Sequence, residues 1–249
     1  MDKGFEYLFG VNPILEALKA RRGEIAEIIL TDGPQRPVLH TIAGEARRLG
    51  VKLVYMPPRA LDRLIQGQRH QGVLAKVAAY SYMAFPELLQ NMSSRSGRQW
   101  ILILDGLTDP GNFGALLRTA EAVGVLYVVI PEDRSVGVTS AVVKASAGAV
   151  HHLKICRVTN LRRAISALKD RQFWITGLDA TASDSIHDRI FPERLGIVLG
   201  SEADGIRPLI LKQCDYLVSI PMRGKLKSLN VAVAGAVFLY ELLRQSKDV

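Results

Sequence analysis

The chain has 249 residues, 48% hydrophobic and 22% charged, enough for one large globular domain or two modest ones with a substantial core. Its 32 Lys and Arg against 24 Asp and Glu leave a net charge of +8, which favours a polyanionic partner. No apolar run reaches the roughly 18 residues of a membrane span; the start, Met1-Asp-Lys-Gly-Phe-Glu6, does not read as a signal peptide; and Cys156 and Cys214 lack metal-ligand spacing.

The two cysteines are therefore expected to be buried thiols of a cytoplasmic protein. His151 and His152 are adjacent, so on a strand they would point to opposite faces, and no metal site is expected. In chain order, the patterning predicts a helix over Asn12–Arg22 and a strand over Ile25–Leu30. A helix follows over Val38–Leu49, then a strand over Val51–Tyr55. Pro57-Pro58 precedes a short helix around Leu61–Ile65, and Gly72–Val77 closes the unit as a strand. This is a small α/β domain spanning residues 1–78. It holds 12 Lys and Arg against 8 Asp and Glu, half the net positive charge in under a third of the chain.

Residues 79–97 read as a linker. Pro86 can open a short helix through Leu89, but Asn91-Met-Ser-Ser-Arg-Ser-Gly97 is polar and rich in small residues. From residue 98 to 249 a second alternation begins. Strands are predicted at Trp100–Leu104, Leu126–Ile130, Phe173–Leu178, Gly196–Leu199 and Tyr216–Ile220. Helices are predicted at Phe113–Val123, Thr139–Ala147, Leu161–Lys169 and from Ser228 to about Arg244. The alternation implies a mostly parallel sheet with helices on both faces.

Three strand-to-helix segments of this second domain carry candidate chemistry, and ligands of open α/β sheets bind beyond the carboxyl ends of strands. The first is Leu107-Thr-Asp-Pro-Gly-Asn-Phe-Gly-Ala-Leu-Leu-Arg-Thr-Ala-Glu-Ala-Val-Gly124. In it Asn112 stands at a helix entrance, where an N-cap is one reading, and Arg118 follows about one and two-thirds turns later, a common place for a solvated surface residue. The second is Ile197-Val-Leu-Gly-Ser-Glu-Ala-Asp-Gly-Ile206, in which Glu202 is a carboxylate among small residues and helix capping is one role for it. The third is Ile220-Pro-Met-Arg-Gly-Lys-Leu-Lys-Ser-Leu-Asn-Val-Ala-Val-Ala-Gly-Ala236. Ser228 and Asn230 are polar groups placed where the helix leaves N–H groups unsatisfied, with Ser228, at the expected helix start, a preferred N-cap; Ala232, Gly235 and Ala236 give that helix a small-residue face.

In this order, the three segments resemble the motifs of the SpoU/TrmH family of RNA ribose 2′-O-methyltransferases, within the SPOUT superfamily. The resemblance covers about Trp100 to Arg244. It implies an α/β-knot domain, S-adenosylmethionine as cofactor, and a homodimer packed through the knot region. It also implies that Asn112, Arg118, Glu202, Ser228 and Asn230 form the catalytic centre. Leu199, Gly200, Ile220, Met222 and Leu229 would line the cofactor pocket. A guanidinium with a pKa above about 12 is a poor base, so Arg118 is read as orienting ribose or phosphate, with Glu202, Ser228 or a water taking the proton.

Phe9-Gly-Val-Asn-Pro13 and His70-Gln-Gly-Val73 make the first domain similar to the L30e/L7Ae-like substrate-binding domains of such enzymes. The layout looks most like the large-subunit (23S) rRNA guanosine-2′-O-methyltransferases. A tRNA ribose methyltransferase and a non-catalytic RNA-binding protein are the alternatives. A dehydrogenase would need G-x-G-x-x-G after its first strand, and Leu104-Asp-Gly-Leu-Thr-Asp-Pro-Gly111 does not supply it. One departure from the family pattern is Arg223-Gly-Lys-Leu-Lys227, which carries more charge than expected. Phosphate contacts and a simple exposed loop both account for it.

Overall fold

The structure, a computed structural model, describes residues 5–20, 25–33, 36–65, 67, 70–78, 80–93 and 97–246. The chain divides into two compact units, residues 1–81 and 82–249.

The first unit runs β1 (Phe5–Phe9), α1 (Val11–Ala20), β2 (Ile25–Thr31), α2 (Pro37–Arg48), β3 (Lys52–Met56), α3 (Pro58–Leu64) and β4 (Val73–Ala78). Its sheet has the order β1-β4-β2-β3; β4 is antiparallel to both neighbours and β2–β3 is parallel. Apolar residues at helical spacing, including Ile14, Ala17 and Leu18 of α1 and Leu39, Ile42, Ala43 and Ala46 of α2, pack on one face of the sheet. Leu61 and Ile65 bury the other face against Ile29 and Leu74. Arg21 and Arg22, around the expected end of the first helix, lie outside the described residues.

The second unit begins with α4 (Phe85–Ser93), inside the segment whose composition reads as a linker. Leu88 and Met92 of this helix are buried in the unit's core, so its apolar stripe, rather than the polar residues after it, decides its place. Residues 94–96 lie outside the described residues. Then come β5 (Gln99–Asp105), α5 (Pro110–Ala122), β6 (Tyr127–Pro131), α6 (Ser140–Ala145), a 3₁₀ turn at Ala149–His151, and β7 (Lys154–Val158). After α7 (Leu161–Lys169), β8 (Trp174–Leu178) and β9 (Asp184–Ser185), the chain forms β10 (Arg194–Gly200), α8 (Pro208–Leu211), β11 (Tyr216–Ser219) and α9 (Val231–Gln245).

The seven strands are ordered β7-β6-β5-β10-β8-β11-β9, and every pairing is parallel. All seven residues of β5 are buried, as a central strand covered on both faces requires. Each large aliphatic side chain it buries contributes about 1.5–3 kcal/mol. The β5–β10 register sets Leu104 beside Leu199 and Asp105 beside Gly200, so the ends of two motif-bearing strands lie level. On α9, a Cβ added at Gly235 would come within 2.4 Å of Leu116 Cδ2 and 2.7 Å of Leu199 Cδ1. Glycine lets α9 settle this closely against α5 and β10; a side chain there would require Leu116 and Leu199 to shift.

Two helix starts differ from the sequence reading. Asp109, not Asn112, caps α5: its carboxylate accepts the Asn112 N–H at 2.7 Å, and Pro110 takes the first helical position. Asn230, not Ser228, caps α9, accepting the N–H groups of Ala232 and Val233 at 2.9 and 3.3 Å. A capping carbonyl must stand two or three residues before the donors it serves, and Ser228 stands too far back.

Candidate active site

Beyond the carboxyl ends of β8, β10 and β11 lies a cleft of about 500 Å³. Its size suits a nucleoside-sized ligand. Its apolar wall is Leu199, Ile220, Met222 and Leu229, together with Leu178 and Ile206. Polar side chains from three loops face it: Asp179 and Thr181, then Glu202 and Asp204, then Lys227 and Ser228.

The loop after β10 is folded back tightly. Ser201 and Gly205 exchange both backbone hydrogen bonds, at 3.1 and 3.0 Å, and Gly205 has φ +65°. A Cβ at Gly200 would lie 2.0 Å from the Gly205 carbonyl carbon, so a side chain there would force the loop open. The loop is fixed from below by an ion pair. The Asp105 carboxylate is wholly buried and accepts the Arg207 backbone N–H at 2.9 Å and its Nε at 2.7 Å, with Nη2 at 2.6 Å. Three donors on one buried carboxylate leave little of its charge uncompensated. After β8, the Asp179 carboxylate accepts the Thr181 N–H and hydroxyl, both at 2.7 Å, closing that loop into a local turn.

Three of the five candidate catalytic residues, Asn112, Glu202 and Asn230, meet at the rim. Asn230 uses its carbonyl oxygen to cap α9, so its amide nitrogen is left to donate to Asn112 Oδ1 at 2.9 Å. The Asn112 amide nitrogen in turn donates to Glu202 Oε1. Each amide in this chain is oriented by the one before it, and the chain ends on a carboxylate, which only accepts. Residues 90 and 118 positions apart in sequence are thus joined side chain to side chain. The capping roles that the sequence left open for Asn112 and Glu202 are not the roles they take.

All five residues expected at the cofactor pocket line the cleft, together with Glu202 and Ser228. Asn112 and Asn230 join through the hydrogen-bond chain. Arg118 does not line the cleft: it is exposed on α5 and, among the described residues, has no hydrogen bond or ion pair. Sequence reasoning missed Asp105, Arg207, Asp179 and Thr181. An acid ending the otherwise apolar Trp100-Ile-Leu-Ile-Leu-Asp105 was the available signal for the first. Both thiols are pushed up to about 12, chiefly by burial, which suits structural rather than reactive cysteines. Among the described residues no group of three His, Cys, Asp or Glu is placed to hold a metal ion, and no helix is long and apolar enough to cross a membrane.

Comparison with known proteins bears on both units. The profile of the SpoU rRNA Methylase family matches residues 99–240, and that of the RNA 2′-O ribose methyltransferase substrate-binding domain matches residues 7–83. The chain is 40% identical to the 23S rRNA (guanosine-2′-O-)-methyltransferase RlmB of Xanthomonas axonopodis pv. citri, across 98% of both chains. Among solved structures, its fold is similar to that of the SpoU methyltransferase AviRb from Streptomyces viridochromogenes in complex with AdoMet. That likeness has a TM-score of 0.66 and 24% identity, over 98% of this chain and 91% of the other. The A. aeolicus TrmH/SpoU tRNA modifying enzyme is 27% identical, with a TM-score of 0.55, over 65% of this chain and 83% of that one.

Proposed function

This chain belongs to the SpoU rRNA methylase family, and from that premise we propose that it methylates the ribose 2′-hydroxyl of a guanosine in 23S rRNA, using S-adenosylmethionine. The observation that carries the reading is the joining of Asn112, Glu202 and Asn230, one from each motif segment, at the rim of a nucleoside-sized cleft. The cleft's chemistry fits the cofactor. Leu199, Ile220, Met222 and Leu229 offer an apolar wall for an adenine ring, and Gly200 lets the backbone approach closely. Asp179, Glu202 and Asp204 supply negative charge suited to a ligand bearing a sulfonium and an ammonium.

When bound, S-adenosylmethionine supplies an electrophilic methyl group; the residues have to position and deprotonate the hydroxyl. Glu202 holds a carboxylate at the rim, with one oxygen engaged by Asn112 and the other left as a proton acceptor. Asn112, locked by Asn230, keeps that carboxylate in place and presents its amide edge to the ribose. Ser228 offers a hydroxyl from the facing loop. Arg118 is assigned to the RNA side, orienting ribose or phosphate by its planar donors.

The enzyme acts as a homodimer in this reading. Val233, Val237 and Tyr240, at spacings of four and three on α9, expose 49%, 37% and 54% of their surface. A second copy of the helix would cover such a stripe, and a site completed across that contact would account for an Arg118 that the single chain leaves unengaged. A cytoplasmic location and a trefoil knot belong to the same reading. The first unit supplies RNA affinity and adds nothing to the cofactor cleft.

The test is transfer of a labelled methyl group from S-adenosylmethionine to unmodified 23S rRNA, with the product mapped for 2′-O-methylation. A single modified guanosine is the expected result. Binding of cofactor and RNA without transfer would make the chain a binding protein. Modification of tRNA alone would assign it to the other branch of the family.

A further inference from the structure

We propose that the loop Arg223-Gly-Lys-Leu-Lys227 is a phosphate clamp that holds the substrate RNA's backbone over the methyl-transfer cleft. The inference rests on the RNA-methylating reading above and adds to it the element that grips the RNA at the reaction centre.

The loop is a strap fixed at both ends. Its first end follows β11, where Ile220 and Met222 line the cleft. Its last is Asn230, held to the Ala232 and Val233 N–H groups and to Asn112. Between them all ten residues 221–230 are exposed, and none belongs to a helix or strand. Leu226 is 76% exposed, so the tip does not fold back onto the protein. Three cations sit in these five residues with no acid among them, and among the described residues Arg223, Lys225 and Lys227 have no ion pair or hydrogen bond.

What lies opposite gives this charge a purpose. The cleft is lined by the acids Asp179, Glu202 and Asp204 and by one base, Lys227. Such a cleft suits a cationic ligand but repels a polyanion brought within a Debye length, about 8–10 Å. The strap sets Lys227 in the lining of that cleft and carries Arg223 and Lys225 on the exposed run beside it. The two polarities are thereby divided, with acid inside for the cofactor and base at the entrance for the RNA. Phosphate contacts of this kind need charge more than a particular side chain.

The experiment uses the full-length protein and unmodified, in vitro transcribed 23S rRNA, with binding measured from about 0.1 to 1 M salt. Each phosphate contact removed should flatten the slope of log affinity against log salt by roughly 0.7–0.9. Arg223→Gln with Lys225→Gln should therefore flatten it by about 1.4–1.8, with the curves converging near 1 M and parted by roughly 40-fold at about 0.1 M. Adding Lys227→Gln should flatten it further. Arg223→Lys with Lys225→Arg keeps the charge and should keep the parent slope. S-adenosylmethionine affinity of the Gln double variant, by calorimetry, should equal the parent's. Equal slopes in parent and Gln variants would overturn the proposal. So would loss of RNA affinity in the charge-conserving variant, or a Gln variant whose cofactor affinity falls while its RNA affinity holds. Methyl transfer by the parent is scored separately: a parent that binds RNA steeply with salt but transfers no methyl overturns the enzyme reading and leaves the slope comparison standing.

Discussion

The two ends of the seven-stranded sheet handle polar groups in opposite ways. At the amino ends of β8 and β11, charged and aromatic groups pair within the fold. Asp215 accepts the Ile175 N–H at 2.8 Å and the Lys169 ammonium at 2.7 Å, while Trp174 stacks on Tyr216 at 5.3 Å with the Arg189 guanidinium over the Tyr216 ring. At the carboxyl ends, the Asp105–Arg207 pair and the Asp179–Thr181 turn are closed off in this way. Beyond these, Asn112, Glu202 and Asn230 bond to one another but stay open to solvent, and Arg118 bonds to nothing described. The same parallel sheet has one end built for stability and one left with unused capacity. That unused capacity is what a ligand can take up.

The comparison breaks first at Arg118. Arg118→Ala should lower kcat by about 10²–10³, as loss of one preorganised donor typically does, with S-adenosylmethionine affinity unchanged. Arg118→Lys should recover little if planar donors are what matter. Near-normal turnover of the Ala variant would take Arg118 out of the site. Asn112→Ala should behave similarly, since it releases Glu202 while the cleft wall stays intact.

Gly200→Ala should be felt in binding. The added Cβ meets the Gly205 backbone, so the loop must shift at a cost of about 1–3 kcal/mol. Calorimetry should show cofactor affinity reduced roughly tenfold or more; an unchanged value would mean the loop does not form the pocket. At the other end, Asp215→Asn should lower unfolding free energy by about 1–3 kcal/mol in a urea titration. Its kcat per folded molecule should equal the parent's, and a drop there would show that the two ends are coupled.

The smallest expected effect concerns pH. Glu241 on α9 has a side chain only 6% exposed, and hydrogen bonds from Arg244 and then Gln245 pull its pKa down to about 2. A carboxylate lowered from an unfolded value near 4.3 stabilises the fold above that value, and the gain is lost as pH falls through about 4 towards 2. Arg244 is mostly exposed, so solvent screens much of this gain. Glu241→Gln should flatten the acid limb of stability against pH without altering turnover at pH 7.

Segments with strong periodicity were legible from the sequence. The amphipathic helices α2 and α7 and the apolar runs of β2, β5 and β10 emerge within a residue or two of their expected bounds, because one-sided burial imposes its period on the residues themselves. β1 (Phe5-Glu-Tyr-Leu-Phe9) and β7 (Lys154-Ile-Cys-Arg-Val158) were not read. Each is five residues long and holds its place by pairing along one neighbouring strand, β1 on β4 and β7 on β6. The starts of α5 and α9 were also misplaced, since several polar residues nearby could each have served as cap.

The sequence by itself determined the alternation of strands and helices, the parallel sheet and, through its three motif segments, the family. Tertiary structure alone decided how those segments combine. Asn112 and Glu202 each had a satisfactory local role as caps, and nothing in their own surroundings favours a partner 90 residues away. Asp105 likewise meets Arg207 only because β5 and β10 run side by side in register, bringing the 200–207 loop over the end of β5. A local pattern records what a residue can do. Which of those options a polar side chain takes depends on what the packed sheet sets beside it, and that is fixed by contacts between residues far apart in the chain.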